Sequence, residues 1–283
     1  MARPPVPVVA IAYDFDGTLA PGNMQEHVFL PKLGVEPAQF WAEANAMAEE
    51  QQGDRILTYM HRMLEWARFK HLPVRKADWI AQGAGITLFP GVESWFDRVN
   101  AAAQQRGIAV EHYVISSGLR ELIEGTSIRR HFRAVFASGF LYDGSEVAIA
   151  PAIAVNYTTK TQYLFRINKD ALDLADDTAV NAFQPQDERR VPFPNMIFIG
   201  DGDTDIPCFR SVKELGGHSI AVYPNGDTQR AARTRKLIAE GRVHCAVPAD
   251  YSEGGEIEHR VLSILDLLAA RAAVTAPMPE NNT

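Results

Sequence analysis

The sequence predicts an α/β protein, a parallel sheet with helices on both faces, and three observations predict it. Short, mostly apolar runs bounded by turn residues stand at Val6–Tyr13, His112–Ser116, Ala134–Ala137, Met196–Gly200 and Ser219–Tyr223. Strands buried on both faces read this way, without polar alternation. Helical patterns such as Val92–Gln105 and Leu119–Glu124 separate several of these runs, and strand–helix alternation builds a parallel sheet covered by helices. The third observation is a break in the alternation. From Met24 to Thr87, Ile56, Leu57, Met60, Met63, Leu64 and Ala67 recur at helical spacing, as do Phe40, Trp41, Ala44 and Met47. An all-helical insertion therefore follows the first strand, and its methionine and aromatic stripe reads as core.

Taken in order, residues 1–22 and 89–272 make the expected catalytic core, 23–88 a helical cap, and 273–283 a flexible tail. Pro90-Gly91 marks the return from the insertion to the core. Asp143-Gly144, between the apolar flanks Phe140 and Val147, signals a hairpin. Asp173 to Pro194 is acidic, then polar, then proline-rich, and reads as a surface excursion. No internal repeat or low-complexity block stands out.

Composition narrows the class. The 283 residues suffice for one sizeable core, or a core and a smaller domain. With 46% hydrophobic and 22% charged residues the chain reads as an ordinary globular protein. A net charge of -7, with Lys and Arg scattered, speaks against nucleic acid as a partner. Cys208 and Cys245 are too few for a disulfide framework and read as reduced thiols. The apolar run Val6–Tyr13 contains proline and ends on acids, so it fits neither a signal peptide nor a membrane span. The expectation is a cytoplasmic protein without a membrane partner, and Asn156-Tyr157-Thr158 is read as a chance glycosylation match. Oligomeric state is not legible.

Four segments carry chemistry. Asp14-Phe15-Asp16-Gly17-Thr18-Leu19 follows the first strand directly, where ligands bind in open α/β sheets. Two carboxylates there repel, and a cation would resolve the repulsion. Gly200-Asp201-Gly202-Asp203-Thr204-Asp205 follows another apolar run. As a calcium loop starting at Asp201 it would place Ile206 and Val212 where Gly and Glu are needed, so that reading fails, and a magnesium site with few carboxylates survives. Ser116-Ser117-Gly118 ends a strand in a hydroxyl, with Gly118 read as opening a helix whose N–H groups could face a phosphate. Lys160 sits at a helix start, where the dipole does not favour a cation, so contact with phosphate would explain it.

In this order the segments resemble the haloacid dehalogenase-like superfamily, and within it the phosphoserine-phosphatase-like branch, over roughly Val8 to Leu268. The resemblance implies a Rossmann-like core with a helical cap. It implies a magnesium-dependent phosphatase working through an aspartyl-phosphate on a small phosphorylated metabolite. Asp14 resembles the nucleophile and Asp16 the general acid and base, while Ser116 and Lys160 resemble the groups holding the phosphoryl oxygens. Asp201 and Asp205 resemble the acids that hold Mg2+ together with Asp14 and the Asp16 carbonyl. Ser117, Gly118 and Thr204 are expected to contact substrate. The chain departs from the branch at Thr204, where Asn is usual, and at Ser117, where Gly is usual. Glu26, Arg62 and Arg68 are candidates for the branch's cap acid and arginine, and Lys169 is a rival to Lys160.

Three other functions compete with this reading. A dehalogenase of this fold lacks the second acid, so Asp16 speaks against it. A phosphomutase or phosphotransferase keeps both acids and stays open. A non-catalytic magnesium- or phosphate-binding module should have lost one of Asp14, Asp16, Lys160 or Asp201, and none is lost.

Overall fold

The computed structural model describes residues 6–72 and 74–275. Its order is β1 (Val8–Tyr13), α1 (Met24–Val28), α2 (Leu30–Leu33), α3 (Pro37–Glu50), α4 (Arg55–Phe69), α5 (Lys76–Gly83), α6 (Val92–Gln105), β2 (Ala109–Leu119), α7 (Arg120–Glu124), β3 (Phe132–Tyr142) and β4 (Ala148–Ile153). It continues with α8 (Lys160–Lys169), α9 (Asp177–Asn181), β5 (Met196–Gly200), α10 (Ile206–Glu214), β6 (His218–Tyr223), α11 (Thr228–Ala239), β7 (Cys245–Pro248) and α12 (Glu256–Thr275). The seven strands form one sheet, β4-β3-β2-β1-β5-β6-β7, parallel except for the β3–β4 hairpin.

The pleat of β1 sorts the core. Val9, Ile11 and Tyr13 join one apolar cluster, and Ala10 and Ala12 join a second with Tyr163, Leu164, Phe209 and Leu237 from the other layer. Side chains alternate across a strand, so an apolar run feeds both faces. The fold is α/β, with helices on both faces of a Rossmann-like sheet. Because β2 lies on one side of β1 and β5 on the other, the connections diverge at the carboxyl end of β1. That crevice is where such sheets bind ligands.

The stretch expected as an insertion folds as α1–α5. Asp54 caps α4, its Oδ1 accepting from the backbone of Ile56 and Leu57 at 2.8 and 3.0 Å, the reciprocal of an exposed helix start. Helix α5 lies against α7 through two glycines. A Cβ at Gly83 would fall 2.0 Å from Leu122 O, and one at Gly125 1.7 Å from Ile80 O, so only glycine allows this approach. Ala148 N donates to Val74 O and Lys76 N to Glu146 O, each at 2.9 Å, which joins the insertion to the hairpin. The larger apolar cluster runs without interruption from Phe40, Met60 and Met63 to Val9, Ile11 and Leu265.

Several expectations need correction. Gly118 does not open a helix: β2 runs on to Leu119, and α7 begins at Arg120 and is short. What requires glycine here is Met24, whose Cε would lie 2.2 Å from a Cβ at Gly118. The glycine makes room for the insertion rather than starting a phosphate cradle. The hairpin is real, but its return strand β4 begins at Ala148, beyond the flanks read from sequence. Strand β7 was not foreseen. The 173–194 excursion contains α9 and is tied down, Arg166 donating to the carbonyls of Ala171, Asp173 and Asp176, while Val191 and Phe193 are buried. Helix α12 runs to Thr275, so residues 273–275 are helical, and the rest of the expected tail, 276–283, lies outside the described residues. Among the described residues, no helix is long and apolar enough to cross a membrane.

Candidate active site

The site forms where β1, β2 and β5 end. Asp14 leaves β1, Ser116 lies within β2, Asp201 and Asp205 follow β5, and Lys160 opens α8. The side chains of Asp14, Ser116, Lys160 and Asp205 are buried. Lys160 is wholly enclosed, and its Nζ lies 2.8 Å from Asp14 Oδ2 and 2.8 Å from Asp205 Oδ1. Burial works against that ammonium, but the two carboxylates outweigh it and hold its pKa above that of an ordinary lysine. Lys169, the rival, donates instead to the carbonyls of Val180 and Ala182, away from the site.

The acids are crowded. Asp14, Asp201 and Asp205 each offer an oxygen, and these lie within 4.8 Å of one another, the one such cluster among the described residues. Burial, then Asp205, raises the pKa of Asp14 against the pull of Lys160. Burial, then Asp205 and Asp14, raises that of Asp201 well above the carboxylate range. Charge of this sign, held together and only partly balanced, suits a divalent cation bound by oxygen. The donor set therefore fits magnesium.

Asp16 stands apart from that trio. Its Oδ1 accepts from Met24 N at 2.9 Å, so its carboxylate turns toward the insertion, while its backbone stays beside Asp14. Burial, then the charge of Asp14, raises its pKa well above the usual range. A carboxyl group whose proton is held more tightly than usual suits a general acid.

Glycines let these loops meet. Gly17 has φ +75°, and a Cβ there would fall 2.1 Å from Asp201 Oδ2, so the turn after β1 can touch the β5 loop only without a side chain. At Gly200 a Cβ would fall 2.5 Å from Asp205 Oδ2. That same oxygen accepts from the backbone of Asp201 and Gly202 at 3.1 and 3.2 Å, closing the β5 loop on itself.

A cavity of about 320 Å³ opens above these groups, lined by Asp14, Asp16, Ser116, Ser117, Asp201 and Thr204 from the sheet side. Ser116 Oγ accepts from Gly118 N at 3.0 Å, which leaves its own proton to donate. Ser117 contributes its carbonyl to Tyr59 OH, at 2.8 Å. Gly118 is filled from behind by Met24 and is not among the lining residues. Thr204 is exposed at the cavity's mouth. The three cap candidates lie elsewhere. Arg62 is paired with Glu43 and Glu65, Glu26 accepts from Asn23 and Trp41, and Arg68 reaches only Ile149 O.

Among the lining residues that sequence reading missed are Gln25, Trp41, Ile56, Tyr59 and Arg230. Arg230 is in the first turn of α11, beyond the end of β6, and its Nη1 is 3.9 Å from Asp201 Oδ2. The signal was available, because every parallel strand of such a sheet delivers its following helix to the same edge. The other four depend on which face each helix of the insertion turns inward, and spacing alone does not say.

The model of the haloacid dehalogenase-like hydrolase family matches residues 11–210. An uncharacterized protein of Borreliella burgdorferi is 26% identical over 90% of this chain and 95% of its own length. Among solved structures, the HAD family hydrolase t0658 from Salmonella enterica serovar Typhi superposes with a TM-score of 0.57 at 17% identity, covering 91% of this chain and 72% of that one. The phospho-aspartyl intermediate analogue of phosphoserine phosphatase gives 0.55 at 15% identity, covering 89% and 97%. At such identities these two carry the likeness of fold.

Proposed function

This chain belongs to the haloacid dehalogenase-like hydrolases, and within that family we propose that it is a magnesium-dependent phosphatase that hydrolyses a small phosphorylated metabolite through an aspartyl-phosphate on Asp14. The observation that carries this reading is the buried Lys160 ammonium, 2.8 Å from both Asp14 and Asp205. An ammonium has three donors. Two meet those carboxylates, and although Lys160 is enclosed and does not line the cavity, the third would serve an oxygen of a phosphoryl group carried on Asp14.

An oxygen of Asp14 attacks phosphorus, and the bond from phosphorus to the alcohol oxygen breaks. Asp16, whose surroundings favour the protonated form, gives its proton to the departing oxygen. Water then attacks the same phosphorus, Asp16 takes its proton, and the bond to Asp14 breaks to release inorganic phosphate. Ser116 Oγ and Lys160 hold the phosphoryl oxygens through both steps. Asp14, Asp201 and Asp205 would hold the magnesium ion, which supplies positive charge where the phosphoryl oxygens gather negative charge. Gln25, Trp41, Ile56 and Tyr59 of the insertion line the cavity and would limit the access of water and bulky esters. A volume of about 320 Å³ is at the small end of ligand sites, which run from roughly 300 to 1,000 Å³.

The test is phosphate release from an aryl phosphate in chelator and then in added magnesium, with wild type and Asp14→Asn. Activity only with metal, lost in the variant, is expected. Full activity in chelator, or substantial turnover by the variant, overturns the reading.

A further inference from the structure

Resting on that phosphatase reading, we propose that the alcohol carried by the substrate is uncharged and presents a ring or apolar face, which Trp41, Ile56 and Tyr59 hold. Among the described residues, those lining the cavity between Gly22 and Tyr59 are Gly22, Asn23, Gln25, Trp41, Ile56 and Tyr59, none of them charged. The charged groups nearby are already engaged. Arg62 pairs with Glu43 at 2.6 Å and Glu65 at 2.8 Å, and Glu26 Oε1 accepts from Asn23 at 2.6 Å and Trp41 Nε1 at 2.7 Å. An ammonium or carboxylate on the leaving alcohol, held against these six residues, would find no counter-charge among them, which is costly.

The two aromatic residues have nothing polar left to offer. Trp41 Nε1 is bound to Glu26, and Tyr59 OH donates to Ser117 O at 2.8 Å. Their rings meet edge to face, with centroids 5.5 Å apart and planes at 68°. Both are thus fixed in place, and their contribution to the cavity is aromatic surface. Ile56 adds an aliphatic contact from the start of α4. Two polar atoms of lining residues are buried without a partner, Gln25 Oε1, on a residue 2% exposed, and Ser117 Oγ, and either could meet a hydroxyl on the alcohol. Arg230, the cation that lines the cavity, comes from α11 of the core and is already 3.9 Å from Asp201 and 3.7 Å from Asp227.

The experiment uses the full chain with magnesium and compares kcat/KM for benzyl phosphate, ethyl phosphate, phosphoserine, phosphoethanolamine and phosphoglycolate. All leave as primary alkoxides, so intrinsic reactivity is similar. Benzyl phosphate should exceed each charged ester by about a hundredfold, the scale of an unpaired charge in a closed site. A charged ester turned over as well as benzyl phosphate overturns this inference and leaves the phosphatase reading standing. Hydrolysis of none of them sinks the phosphatase reading, and this inference with it. Trp41→Ala should raise KM for benzyl phosphate about tenfold while ethyl phosphate changes little, and an unchanged ratio between the two overturns the assignment. Ile56→Arg supplies the missing counter-charge. It should raise kcat/KM for phosphoglycolate about tenfold, a gain that misfolding cannot produce. Absence of that gain in a variant still active on ethyl phosphate overturns the placement of the alcohol beside Ile56.

Discussion

Replacing Asp201 by asparagine should stabilise the metal-free protein and weaken the metal-loaded one. Lys160 meets Asp14 and Asp205 but makes no ion pair with Asp201, whose cation partner is the half-exposed Arg230 at 3.9 Å. With carboxylate oxygens within 4.8 Å, each like-charge pair costs roughly 3.5 kcal/mol at an effective dielectric constant of about 20. Asp201 is repelled by two neighbours, and Lys160 and Arg230 return part of that cost. A net gain of roughly 1 to 3 kcal/mol is expected from the amide, or roughly 2 to 8 °C in Tm for a chain of this size. The raised pKa of Asp201 fixes the sign with pH. A carboxyl group that ionises less readily folded than unfolded costs the native state nothing below pH ~4 and most once both states are ionised. The gain should therefore be seen at pH 8 in chelator and vanish toward pH 4. Thermal unfolding by circular dichroism, with chelator and then with magnesium, measures both arms. An Asp201→Asn protein less stable than wild type in chelator at pH 8 would refute the claim that this cluster awaits a cation.

Asp16→Asn should still be phosphorylated by nitrophenyl phosphate, whose leaving group needs no proton, but should release phosphate slowly. Stopped-flow should show a burst of about one nitrophenol per site, and mass spectrometry an adduct on the peptide containing Asp14. Lys160→Met should abolish turnover and cost the metal-free protein roughly 3 to 5 kcal/mol, because it strands two buried carboxylates; chemical denaturation near pH 7 reads it. His112 supplies an acid-sensitive element away from the site. Trp95 Nε1 donates to Tyr13 OH, which donates to His112 Nδ1 at 3.0 Å, and His112 Nε2 meets Asn100 Oδ1 at 3.1 Å. Burial, then His131, pushes its pKa from 6.5 down to about 3. A histidine kept neutral in the native state contributes stability that is complete above pH 6.5 and is lost as pH falls toward 3, up to roughly 5 kcal/mol. Denaturation midpoints measured across that window should fall more steeply for wild type than for His112→Asn, and equal slopes would refute the assignment.

The parallel sheet was legible because its strands are apolar on both faces, and β5 was read to the residue. β7 was not, because Cys245–Pro248 is short, half-exposed and ends in proline, too little for periodicity to register. The groups that the proposed reaction would use were legible for a different reason. Asp14, Asp16, Ser116, Asp201 and Asp205 belong to strand ends, so their convergence follows from topology. Lys160 was harder, since only its burial and its two carboxylate partners tell it from Lys169, which donates to backbone carbonyls instead. The lining from the insertion was opaque. Arg62 and Glu26 look in sequence like ligands for charge, yet each satisfies a neighbour inside the insertion. Gly118 misled because a glycine after a strand fits two accounts, and the Met24 side chain that decides between them is remote in sequence.

The apolar cluster that passes unbroken from Phe40, Met60 and Met63 to the side chains beneath the sheet bears on how this protein can come apart and how it could have changed. Two regions that share one interior have no plane along which either can melt alone, so heating should give a single cooperative transition rather than an early loss of the roof. The same sharing constrains descent. A roof resting on polar contacts can be exchanged as a cassette, but here a replacement would have to match the volume of the layer below it. Changes in substrate preference are then confined to the few side chains that face the cavity, while the scaffold carrying them is inherited with the sheet.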